Sequence, residues 1–286
     1  MTSRRDLLRA LGASVLLPSM ACSARSPATP MTMRAATPLG VGIQLYLARK
    51  QMLADPEGTL AQIAALGFSE VEWWGRWDRT PQQLRASLDA NGLRSPSYHV
   101  GTGSLRPDQL PALLDFASAM GQRTLIIASL NARERATEDD WKRVATLMNE
   151  ASLAAKSQGI RIGYHNHGGE STMFGDRSAF DLLIAGTDPS LVDFQLDGYW
   201  ALMDGLDPVA VARRHRDRIT SLHLKDADAT PARAQVDLGT GIIDWPTIIR
   251  EGAAARVTSL FLDLDDPADV WATAGSARHY LRGLGY

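Results

Sequence analysis

The sequence predicts one (β/α)8 barrel, an α/β fold of the TIM type, preceded by a segment outside the fold. Three observations carry that expectation. Short apolar runs alternate with amphipathic stretches of helical length from Val41 onward; there are eight of each; and no glycine-rich phosphate loop follows the first run, which continues as Ala48-Arg49-Lys50. Eight β-then-α units in about 245 residues fit a barrel, whereas a doubly wound sheet has fewer strands and a Gly fingerprint after the first.

In order, the strand candidates are Val41 to Leu47, Val71 to Trp74, Arg94 to Val100, Thr124 to Ala128, Ile160 to His165, Leu191 to Asp197, Ile219 to Leu224 and Thr258 to Leu264. Each is a short apolar run of the kind that parallel strands, covered on both faces, require. The helix candidates are Pro56 to Leu66, Pro81 to Asn91, Pro107 to Met120, Thr137 to Gln158, Arg177 to Ala185, Pro208 to Arg216, Trp245 to Ala255 and Pro267 to Leu281. Pro in the first turn and Gly past the last mark helix ends, as at Pro81 and Gly92 or Pro107 and Gly121.

The 286 residues are 45% hydrophobic and 22% charged, with 30 Lys+Arg, 32 Asp+Glu and one Cys, which excludes a disordered chain, a collagen and a disulfide scaffold. A formal charge of -2 provides no global attraction to nucleic acid or an anionic membrane, so a small-molecule ligand is expected. Ser3-Arg4-Arg5-Asp6-Leu7-Leu8-Arg9, the apolar stretch Ala10 to Ala21 and the small residues after it resemble a twin-arginine export signal over residues 1–24. That expectation makes the export machinery a partner and the periplasm the destination. The apolar stretch falls far short of the ~20 residues of a stable membrane span. Cys22 is an alternative lipid-anchor site, with Ser19 standing where such signals carry Leu; if Cys22 is removed, the mature chain has no disulfide. Residues 25–38, rich in Ala, Pro, Ser and Thr, are expected to be a disordered tether, leaving 39–286 as the catalytic domain.

In such a barrel the C-terminal ends of the strands line the active-site mouth, and residues i and i+2 share a face. The ends supply Gln44 and Tyr46, Glu72 and Trp74, Ser97 and His99, His165 and His167, Gln195 and Asp197, His223 and Lys225, and Asp263 and Asp265; the fourth ends at Ile126 and Ala128. Four of the 6 His therefore converge with carboxylates on one face, while His215 and His279 fall in helices. Taken singly, each has a plain reading as a satisfied polar residue or a helix cap. As a set on consecutive strands, His165 or His167, Asp197, His223 and Asp263 surround one point and suit a divalent metal such as Mn²⁺, Zn²⁺, Co²⁺ or Fe²⁺.

Gly163-Tyr164-His165-Asn166-His167, Phe194-Gln195-Leu196-Asp197-Gly198-Tyr199-Trp200, Leu222-His223-Leu224-Lys225-Asp226, Asp237 to Trp245 and Asp263-Leu264-Asp265-Asp266-Pro267 carry a resemblance that spans Val41 to Tyr286. The chain resembles the sugar phosphate isomerase/epimerase-like barrels, a xylose isomerase-like family related to apurinic endonucleases, inosose dehydratases and ketose 3-epimerases. The resemblance implies a divalent metal held by Glu, Asp, His and Glu at the ends of strands five to eight. Mn²⁺ comes first, with Zn²⁺, Co²⁺, Mg²⁺ or Fe²⁺ as alternatives. Asp197 and His223 match that pattern, His165 stands at the fifth-strand Glu, and Asp263 replaces the eighth-strand Glu. Either His165 is the ligand and His167 the base, or the reverse.

The implied chemistry is deprotonation next to a carbonyl, through an enediolate shared by epimerisation, isomerisation and elimination. His165 or His167 is the candidate base, with Lys225 and Glu72 as acid or substrate-binding partners. The plain readings are an ion pair with Asp226 for Lys225, and a helix cap or rim salt bridge for Glu72. Gln44, Tyr46, Trp74, His99, Gln195 and Trp200 are the expected substrate contacts, with Trp73, Trp77 and Tyr199 as further aromatics near the mouth. The first expectation is a metal-dependent isomerase or epimerase of an unphosphorylated sugar or keto-sugar. A lyase or dehydratase of 3-keto-glycosides or inososes comes second, the two ligand departures favouring it, and a non-catalytic carbohydrate-binding barrel third. Hydrolysis by paired carboxylates and nuclease activity fit less well.

Overall fold

Eight parallel strands close on themselves: β1 (Gly40–Gln44), β2 (Glu70–Trp74), β3 (Ser97–Val100), β4 (Thr124–Ile127), β5 (Arg161–His165), β6 (Val192–Asp197), β7 (Ile219–Leu224) and β8 (Ser259–Leu262). Each pairs with its sequence neighbour, and β1 pairs with both β2 and β8. The computed structural model describes residues 39–75 and 79–286, so the expected signal, the tether, Cys22 and Trp77 lie outside the described residues. No helix among the described residues is long and apolar enough to cross a membrane.

The helices are α1 (Arg49–Ala54), α2 (Pro56–Ala65), α3 (Pro81–Ala90), α4 (Leu110–Met120), α5 (Glu138–Ala155), α6 (Ala179–Gly186), α7 (Gly198–Met203), α8 (Pro208–Arg214), α9 (Trp245–Ala253) and α10 (Val270–Gly283). Their ends follow local chemistry. Thr80 and Thr137 close capping boxes with Gln83 and Asp140, and α4 stops where Gly121 takes a left-handed φ of 75°. Sequence periodicity does not anticipate α1 and α7. The first strand ends at Gln44 instead of running to Leu47, because Leu47 and Ala48 turn back to bond the carbonyls of Gln44 and Leu45. At the end of β6, Asp197 accepts a hydrogen bond from the backbone N–H of Trp200 and so starts α7 directly from the strand. Two short hairpins, Met173–Phe174 with Arg177–Ser178 and Asp226–Ala227 with Gln235–Val236, decorate the loops after β5 and β7.

Strand alternation sorts the side chains. Trp73, Ile127, Tyr164, Phe194, Leu222, Leu224 and Leu262 are buried between barrel and helices, each contributing roughly 1.5–3 kcal/mol by leaving water. Trp73 therefore belongs to the core and not to the mouth. The barrel interior is mostly polar instead, holding Gln44, Glu72, Ser97, His165, Gln195, Ser221 and His223 together with Ile126 and Phe261.

Register makes this interior a site. β6 and β7 pair Phe194 with Ile219, but an irregularity then pairs Gln195 with Ser221 and Asp197 with His223. Without the extra residue in β7, Asp197 would lie level with Leu222, and His223 would sit one step out of line.

Candidate active site

His165, Asp197, His223 and Asp263, from the ends of β5 to β8, meet in a cluster where each is between 0% and 6% exposed. His223 Nδ1 lies 3.4 Å from Asp263 Oδ2 and 4.0 Å from Asp197 Oδ2, and His165 Nε2 lies 3.9 Å from the same Asp197 oxygen. Donor atoms of Asp197, His223 and Asp263 lie within 4.8 Å of one another, and so do those of His99, His165 and His223. Asp197 Oδ2, His223 Nδ1 and Asp263 Oδ1 have no hydrogen-bond partner among the described residues. Burying such atoms unpaired is unfavourable, whereas two carboxylate oxygens and an imidazole nitrogen facing one space form a donor set for a divalent cation. The residues therefore fit the metal that the sequence implies.

Beneath them lies a polar floor. Glu72, fully buried, accepts hydrogen bonds from Gln44 Nε2 at 2.8 Å, Ser97 Oγ at 2.5 Å and Gln195 Nε2 at 2.8 Å, and meets His99 Nε2 at 3.0 Å and His223 Nε2 at 2.5 Å. Gln195 Oε1 faces His165 Nδ1 at 2.9 Å and His99 Nε2 at 2.7 Å, while its amide also donates to Ser221. Gln44, His99 and Gln195, expected at the substrate, are thus engaged with Glu72. Glu72 is neither a helix cap nor a rim salt bridge.

His165 and His167 part company here. His165 points into the cluster, whereas His167 stands at the mouth with its ring covered on one side by Trp200, the ring centroids 4.1 Å apart. Lys225, 1% exposed, places Nζ 2.8 Å from Asp263, 3.0 Å from Asp265 and 4.0 Å from Asp197, with the Trp200 ring 5.5 Å away. Asp226, the partner expected from sequence, instead accepts backbone N–H groups of Ala227, Gly239, Gly241 and Ile243 and folds the loop that follows. Across the mouth, Tyr46 and Trp74 make an edge-to-face pair at 4.9 Å.

The charges follow from this packing. Burial pushes the Asp197 carboxyl up to about 6, against the pull of Lys225 and His223. Asp263 is buried too, yet Lys225 and His223 hold it far below the usual carboxylate range. For His223, burial works against the proton, but Glu72 and Asp263 prevail and the pKa rises to about 10. Burial, with His223 and His99 adjacent, keeps His165 well below the usual imidazole value, so it is neutral. His167 is lowered by burial and then by Lys225. Despite burial, Lys225 is held protonated by Asp263, Asp197 and Asp265.

Sequence reasoning assigned no role to Asn166, Ser221 or Gln235. Asn166 exchanges hydrogen bonds with the Asp197 backbone at 2.8 and 3.0 Å and so fixes the strand end, and Gln235 accepts from the Asp265 backbone. Asn166 lies inside a motif already singled out, so its proximity to Asp197 is the signal that one-strand reasoning lacks.

A family profile described as a xylose isomerase-like TIM barrel matches residues 60–262. The chain belongs to that family. Among relatives of this xylose isomerase-like barrel is an inosose dehydratase of Geobacillus kaustophilus, 26% identical over 209 residues, covering 64% of this chain and 67% of the relative. The chain spans between 62% and 67% of the lengths of the first such dehydratases it matches. A sugar phosphate isomerase/epimerase from Parabacteroides distasonis superimposes with a TM-score of 0.73 at 23% identity, covering 87% of this chain and 97% of that one. An IolI protein, solved with a bound zinc atom, superimposes with a TM-score of 0.68 at 11% identity, covering 86% and 98%. At these identities the two structures speak for the fold alone.

Proposed function

We propose that this barrel is a metal-dependent lyase of the dehydratase type, removing water or an alcohol next to a carbonyl in an unphosphorylated keto-sugar, 3-keto-glycoside or inosose. The reading rests on one observation. Asp263, at the position where an epimerase would carry its second base, is tied to Lys225 at 2.8 Å and held ionised far below the range of a useful base. Proton exchange on both faces of one carbon needs two bases, whereas elimination needs one base and one acid. The inosose dehydratase relatives point the same way.

In this reading His165, Asp197, His223 and Asp263 hold the metal, Mn²⁺ or a similar ion. Such an ion would polarise the carbonyl and stabilise the charge that develops beside it. His167, neutral at pH 7 and steadied by Trp200, takes the proton from the carbon next to the carbonyl. As the C–H electrons form the double bond, the C–O bond at the next carbon breaks and Lys225 donates the proton that the leaving oxygen needs. Tyr46, Trp74 and Trp200 offer aromatic faces to the apolar side of the ring. Glu72, Gln44, His99 and Gln195 act below, through the ligands.

Incubation in D₂O with a panel of ketoses, 3-keto-glycosides and inososes, read by NMR, tests this. Loss of water or alcohol is the expected result. Deuterium in an otherwise intact sugar would move the assignment to an epimerase or isomerase, and binding with neither would leave a carbohydrate-binding barrel. We propose further that residues 1–24 direct twin-arginine export; an Arg4→Lys, Arg5→Lys double variant is then retained inside the cell, and its continued export would sink that reading.

A further inference from the structure

We propose that Glu72 is a positioning residue, whose one carboxylate decides which nitrogen of His223 and, through Gln195, of His165 is turned toward Asp197 and Asp263. The sequence offers Glu72 as a rim acid, but it reaches His223 from across the barrel, 151 residues away in the chain, and none of it is exposed. Its surroundings leave one consistent assignment of hydrogens.

An ionised carboxylate only accepts, so each neighbour must donate to it. Ser97 and Gln195 supply donors to Oε1, and Gln44, His99 and His223 supply donors to Oε2. These donors offset the unfavourable burial of the charge. His223 therefore carries a hydrogen on Nε2, and Nδ1 is the nitrogen presented to Asp263 and Asp197. The same logic passes through Gln195. Its amide nitrogen is committed to Glu72 and Ser221, so its oxygen faces His165 Nδ1 and His99 Nε2 and requires a hydrogen on each, the single one on His99 Nε2 being shared with Glu72 Oε2. His165 is then left with a bare Nε2, the atom that lies 3.9 Å from Asp197 Oδ2. One acidic group thus orients both imidazoles, as outer partners do for metal-bound histidines.

The proposal rests on the metal reading above for its purpose, but its assignment of hydrogens does not, and the test separates the two. Imidazole ¹⁵N NMR of the metal-free protein reports which nitrogens carry hydrogen, and Co²⁺ titration reports affinity and ligand geometry. In the wild type, His165 should show hydrogen on Nδ1 and a bare Nε2. Glu72→Gln places an amide donor against existing donors, so it should disturb those signals and weaken Co²⁺ binding about 10- to 100-fold with an unchanged far-UV circular dichroism spectrum. Gln44→Met, which removes a bond to the same carboxylate without touching an imidazole, should leave the imidazole pattern in place. Glu72→Gln with wild-type imidazole signals and wild-type Co²⁺ affinity would overturn the proposal, as would a Gln44→Met variant that reproduces the Glu72→Gln pattern. If the wild type takes up no Co²⁺ while Glu72→Gln still shifts His165, the metal reading fails and the positioning role stands. Should Glu72→Gln not fold, Gln195→Met carries the test for His165 alone: shifted His165 signals with unchanged His223 signals support the relay, and an unchanged His165 refutes it.

Discussion

Toward the N-terminal ends of the strands, the buried carboxylate Asp193 meets two arginines with both of its oxygens: Arg161 and Arg256 lie 2.5 and 3.4 Å from it. Toward the C-terminal ends, Asp197 and Asp263 meet histidines and a lysine, and each retains an oxygen without a hydrogen-bond partner among the described residues. A guanidinium is a permanent fork of donors and completes a carboxylate, whereas an imidazole brings one donor and one lone pair or two donors, depending on its surroundings. The same residue class therefore acts as ballast at one end and as unspent binding capacity at the other. The division follows the barrel rule that chemistry belongs to the C-terminal face and stability to the opposite one.

Substitutions that remove ligands should break this contrast most severely. His223→Ala or Asp197→Asn should abolish both metal content, by elemental analysis, and turnover, while the circular dichroism spectrum persists; full turnover after chelation would refute the assignment. His167→Gln should keep the metal and lower kcat by about 10²- to 10⁴-fold, the usual worth of a general base. A loss of metal in that variant would exchange the roles of His165 and His167.

Acid sharpens the comparison more gently. Because burial raises Asp197 to about 6, this carboxyl carries a proton below that pH and must release it to accept a cation. Because His223, raised to about 10, also gives up a proton to a cation, metal affinity should fall about tenfold per unit above pH 6 and about a hundredfold per unit below it, in a titration at fixed ionic strength. A slope that does not steepen below pH 6 would show that Asp197 releases no proton to the cation.

Asp193→Ala at the opposite end should leave kcat per folded molecule unchanged and lower stability by about 1–3 kcal/mol, seen as a lower Tm. A lost activity with no change in Tm would contradict the division between the two ends.

The eight barrel strands and, among the described residues, eight of the ten α-helices were legible along the chain because apolar period, proline and glycine at helix ends, and strand length are local properties. The ring of strand-end residues was legible as well, since alternation alone places i and i+2 together. The short helices α1 and α7 escaped this reading, being set by turns and a cap at strand ends and not by period. Asn166 and Ser221 escaped it for a different reason: what they do depends on which strand lies beside them.

The sequence by itself thus determined a barrel, its polar mouth and the residue types gathered there. Only the tertiary structure separated His165 from His167, moved Glu72 from rim to floor, exchanged Asp226 for Asp263 and Asp265 as the partners of Lys225, and brought Asp197 level with His223. Those outcomes depend on register between strands and on reach across a closed barrel. Both are properties of residues far apart in the chain, which no local pattern encodes.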